Sequence, residues 1–66
     1  MSEYQYYLQC VPEGQRVWVE VRRQRGGCSM TISSERYERD DVRDRRAVML
    51  RASQMLEAYR QIKEGK

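Results

Sequence analysis

From about Asp40 to Glu64 the chain repeats apolar residues at helical spacing, and this stretch limits what everything before it can become. With successive side chains about 100° apart, Val48, Met49, Ala52, Met55, Leu56, Tyr59 and Ile62 fall in one stripe roughly 140° wide, the width of a core-facing helix. Met55 lies near the centre of that stripe, so Met55→Ala is expected to cost about 2–5 kcal/mol. Asp40, Asp41 and Asp44 cluster where acids suit a helix N-terminus, placing the cap near Asp40. Arg60, Lys63 and Lys66 suit the other end of the dipole, and Gly65 supplies a stop.

The residues upstream alternate with period two and must supply the surface that this stripe buries. Tyr4, Tyr6, Leu8 and Cys10 share one face of a strand over about 4–11, with Gln5, Tyr7 and Gln9 on the other. Pro12-Glu13-Gly14-Gln15 then reads as a four-residue loop. Val17, Val19 and Val21 alternate with Trp18, Glu20 and Arg22 in a second strand over about 16–23. After a second four-residue loop, Gln24 to Gly27, a third strand runs over about 28–33 with Cys28, Met30 and Ile32 on one face. Closing both loops pairs Leu8 with Val19 and Val19 with Ile32, so apolar residues collect on one side. The predicted fold is therefore α+β, a three-stranded antiparallel β-meander packed on one long C-terminal helix (about 40–64), with residues 1–66 forming a single small domain. Strands this short predict a helix that overhangs the sheet at its N-terminal end.

Size and composition then narrow the functional classes. A domain of 66 residues removes only about 60% of its unfolded surface from water, which makes a partner subunit expected. No apolar run reaches the roughly 20 residues of a membrane span, and MSEYQYY lacks the basic and apolar segments of a signal peptide; a cytoplasmic protein with no membrane partner is expected. Cys10 and Cys28 are too few and too far apart for a zinc motif and read as small core residues. Histidine is absent, the serines have no activating neighbour, and the acids alternate with arginines as in a solvated helix face. No enzyme, metal or cofactor is expected.

Two surfaces remain for function. On the outer face of the predicted sheet Trp18 lies opposite Gln9 and diagonal to Tyr7, with Arg16 and Arg22 on the same strand. Aromatic residues interleaved with arginine mark the energetic centres of protein interfaces, so the leading expectation is a non-catalytic binding protein of accessory regulator or inhibitor type. It acts through protein–protein contact by Tyr7, Arg16, Trp18 and Arg22, as a homodimer. The competing expectation is a single-stranded nucleic-acid-binding protein in which the same face stacks bases and neutralises phosphates. Arg43, Arg46 and Leu50, on the side of the helix away from the stripe, form the second candidate surface.

Overall fold

The structure, a computed structural model, describes residues 4–64 of the chain, with side chains through Gln61. Three strands, β1 (Gln5–Glu13), β2 (Arg16–Arg25) and β3 (Cys28–Glu38), form one antiparallel sheet in the order β1-β2-β3, and α1 (Val42–Glu64) crosses one face of it. The α+β architecture is the one the periodicities predict. The hairpins are tighter than expected: Glu13 pairs with Arg16 and Arg25 with Cys28, so each loop has two residues, Gly14-Gln15 and Gly26-Gly27. In both, the first loop residue is a glycine at positive φ, 64° and 60°, while the second is not, the φ pattern of a type II′ turn. Pro12 thus belongs to β1, tolerated because β1 is an edge strand of the sheet.

Tightening each loop by two residues preserves the predicted faces and slides the pairs. Leu8 meets Val21 and Cys10 meets Val19, in place of the predicted pairing of Leu8 with Val19. The larger correction concerns β3, which runs to Glu38 and not to residue 33. Val21 pairs with Ser33 but Arg22 pairs with Thr31, so Ile32 is an extra residue in a β-bulge. A bulge changes the parity of everything after it: Cys28, Met30 and Ile32 hold the inner face on even numbers, and beyond it Ser33, Glu35 and Tyr37 hold it on odd numbers. The bulge is what carries Tyr37 into the core and turns Arg36 outward.

The core is Val17, Val19, Val21 and Tyr37 from the sheet with Val48 and Ala52 from the helix; Leu8, Ile32, Met49, Leu56 and Tyr59 pack around it. The helix approaches the central strand through its two smallest stripe residues, which lets β2 and α1 come close. Met55 is 38% exposed, so the true centre of the stripe is Val48–Ala52, and the expectation for Met55 is corrected accordingly. The side chains of Ile62 and Lys63, and Gly65 and Lys66 altogether, lie outside the described residues. Tyr6 stacks on Tyr59 with ring centroids 5.6 Å apart, the Arg60 guanidinium donates to the Tyr6 carbonyl at 3.0 Å, and Arg51 pairs with Glu35 at 2.7 Å. These contacts tie the helix to both edge strands.

Helix and sheet also match in length. Eleven residues of β3 span about 36 Å and the 23 of α1 about 35 Å, which removes the predicted overhang. The first turn is pinned at the corner: Asp41 caps the helix through Oδ1, which accepts from the Asp44 amide at 2.9 Å, and Asp44 Oδ2 accepts from the Glu38 amide at 3.2 Å. The cap is one residue later than expected. Both cysteines are exposed free thiols, Cys10 on the edge strand and Cys28 beside the second turn, contrary to the expected core placement.

Candidate functional site

The helix covers only one face of the sheet. On the uncovered face stand Tyr7, Gln9 and Val11 from β1, Arg16, Trp18, Glu20 and Arg22 from β2, and Thr31, Ser34, Arg36 and Glu38 from β3, all set there by pairing and alternation. All four residues predicted for the primary site, Tyr7, Arg16, Trp18 and Arg22, lie on it. Register decides which of them meet. Tyr7 pairs directly with Arg22, whereas Trp18 pairs with Val11 and not with Gln9 as predicted. Trp18 and Arg22 are four residues apart on one strand, about 13 Å. The face therefore has two separate centres and no continuous stacking platform.

At the first centre all three nitrogens of the Arg22 guanidinium donate. It donates to the Tyr7 hydroxyl at 3.3 Å, to Glu20 at 3.2 Å, to the Thr31 hydroxyl at 2.5 Å and to the Ser29 hydroxyl at 3.0 Å. The Tyr7 hydroxyl, ahead of Glu20, holds Arg22 still more firmly in its charged form, against the partial desolvation that opposes it. A guanidinium with this many partners is a structural cross-brace over three strands, with few N–H groups left for a ligand.

At the second centre Trp18 lies between Val11 on one side and Arg36 on the other. Its indole N–H donates to Glu13 at 2.9 Å, fixing the ring's orientation, and the Arg36 guanidinium carbon sits 5.8 Å from the ring. Arg16 forms an ion pair with Glu38 at 3.1 Å. Arg36 is the site residue that the sequence reading missed. The signal that finds it is the break in apolar phase between Ile32 and Tyr37, which requires an odd insertion between them and so puts Arg36 beside Trp18.

Charge on the face is balanced: Arg16, Arg22 and Arg36 stand with Glu13, Glu20 and Glu38. Arg43, Arg46 and Leu50 of the second candidate surface are all exposed on α1, Leu50 at 59%, on the side turned away from the sheet. Among the described residues no group of three His, Cys, Asp or Glu side chains is placed to hold a metal ion, and no helix is long and apolar enough to cross a membrane.

Fold and face together define a two-layer α+β domain, three strands under one helix, with the second sheet face uncovered among the described residues. No protein-family model, no curated protein and no solved structure matches the chain.

Proposed function

We propose that the chain is a small non-catalytic regulator or inhibitor that acts by docking its open sheet face, centred on Trp18, onto another protein. The observation that carries this reading is the oriented Trp18 ring, flanked by Val11 and Arg36 on a face whose arginines and glutamates balance. Tryptophan and arginine on a preorganised surface are what interface centres use. A neutral mixed-charge face favours a protein surface with apolar relief and charges of both signs. A polyanion would gain from three arginines and lose as much to three glutamates, and that weighs against the single-stranded nucleic-acid alternative.

The face measures roughly 30 by 15 Å, about half of the 800 Å² that each partner contributes to a standard interface. Homodimerisation answers this shortfall. Of the two sheet edges, β1 carries Pro12 while β3 offers eleven residues without a proline. Pairing of β3 with its copy would join two open faces into one of standard size. A cytoplasmic setting belongs to the same proposal, one in which the exposed Cys10 and Cys28 stay reduced.

Photo-crosslinking in the native cells tests the docking face. A photoreactive residue in place of Val11, beside Trp18, is expected to capture one stoichiometric protein, and one in place of Leu50 is not. Against that purified partner Trp18→Ala is expected to weaken binding by about 2 kcal/mol, roughly 30-fold. Equal capture from both positions, or salt-sensitive binding of oligonucleotides that Trp18→Ala abolishes, overturns the proposal.

A further inference from the structure

Past the point where Val21 ends the core, the inner face of β2 continues with Arg23 and Arg25, and here no carboxylate among the described residues balances the charge. Both guanidinium groups turn onto the ring of Tyr4, their central carbons 4.3 and 5.2 Å from its centroid. Arg25 donates to the Tyr4 hydroxyl at 3.3 Å, and Arg23 donates to the Met30 sulfur at 2.9 Å, a weak acceptor. Arg16, Arg22 and Arg51 each have a carboxylate at ion-pair distance; among the described residues Arg23 and Arg25 have none. Two cations gathered on one ring repel each other, and an anion between them would relieve that.

These side chains, with Gly26, Cys28 and Met30, line a concavity of about 510 Å³ at the end of the sheet, within the range of small-molecule sites. Its walls are partly apolar, from the Tyr4 ring and the Met30 and Cys28 side chains, and its charge comes from the two guanidinium forks. The positive potential registers on Tyr4, whose hydroxyl titrates below its ordinary range because of the Arg25 hydrogen bond first and the Arg23 and Arg25 charges next.

We infer that this concavity is a binding site for a phosphate monoester carried on an aromatic or heteroaromatic body, the dianion held between Arg23 and Arg25 and the ring lying against Tyr4 and Met30. A carboxylate has one charge and two oxygens and satisfies one fork; a phosphate dianion has three terminal oxygens and matches two. The site lies on the opposite side of the sheet from Trp18 and stands independently of the docking proposal.

Phenyl phosphate, inorganic phosphate and benzoate are the probes, titrated into the full chain while side-chain resonances of the arginines and the backbone amides of Gly26 and Gly27 are followed by NMR. Phenyl phosphate is expected to shift the Arg23, Arg25 and Gly26 signals saturably in the millimolar range or below, about tenfold more tightly than either other probe. Arg23→Gln and Arg25→Gln are each expected to weaken it about tenfold, Arg25→Lys less, and Arg16→Gln not at all. Absence of saturable shifts in the unmutated chain overturns the inference without reference to any variant. Equal binding of benzoate overturns the phosphate assignment, equal binding of inorganic phosphate overturns the aromatic body, and an Arg16→Gln loss equal to that of Arg25→Gln reduces the effect to net charge.

Discussion

Adjacent glycines in the second hairpin do different work. Gly26 sits at φ 60°, in the left-handed region, whereas Gly27 does not, and a Cβ on either would meet nothing within 4 Å. The difference between them is therefore purely one of backbone strain. Gly26→Ala is expected to destabilise by about 1–2 kcal/mol, while Gly27→Ala is expected to be neutral or to stabilise by up to about 1 kcal/mol by restricting the unfolded chain. Urea denaturation of both variants makes the comparison. In the first hairpin a proline two places before a glycine suggests a longer turn, but what the hairpin uses is Gly14, at φ 64°, as the first of two loop residues.

Among the elements, α1 shows how far periodicity reaches. An apolar stripe about 140° wide specifies that the helix is buried and on which side, but not which edge of the stripe meets the sheet. Burial of Val48 and Ala52 against the sheet sets that rotation, the Arg51–Glu35 ion pair and the bond from Arg60 to the Tyr6 carbonyl flank it on the two edge strands, and Met55 is left toward solvent. Val48→Ala, at a side chain only 1% exposed, is expected to cost about 2 kcal/mol or more, and Met55→Ala under about 1 kcal/mol. Thermal or chemical denaturation of the pair checks this, and a reversed order would mean that the helix is rotated about its axis. In β3 the limit was different. The alternation of Cys28, Met30 and Ile32 is easily seen, but the strand continues through Ser33, Ser34, Glu35 and Arg36, opposite Val21, Glu20, Val19 and Trp18, with no alternation of hydrophobicity. Only pairing with β2 keeps those polar residues extended.

For the whole molecule, the decisive quantity is how little surface two layers can hide. Cα extents of 43 × 24 × 10 Å describe a thin slab in which, among the described residues, only Val19, Val21 and Val48 are almost completely buried. Stability of so thin a core is expected to be supplemented by association. The melting temperature should accordingly rise with protein concentration across the micromolar range, as for any fold coupled to dimerisation, and a proline placed at Ser34 of β3 should abolish that dependence if the β3 edge is where the copies meet. A melting temperature independent of concentration, with light scattering at the 8.0 kDa monomer mass, removes the dimer.

The amino-acid sequence by itself determined the element types, their order, the inner and outer faces of β1 and β2, and the membership of Tyr7, Arg16, Trp18 and Arg22 in one face. Each of these follows from a period of two or of 3.6, and periods are local. Tertiary structure alone decided the two-residue slides in register, the bulge at Ile32, and with it the entry of Tyr37 into the core and of Arg36 beside Trp18. It also brought Arg23 and Arg25 together on Tyr4, some twenty residues away along the chain. These depend on which strand lies beside which residue, and that is set by closing loops and filling the space under one helix; of them only the bulge leaves a mark in the sequence, the break in apolar phase between Ile32 and Tyr37.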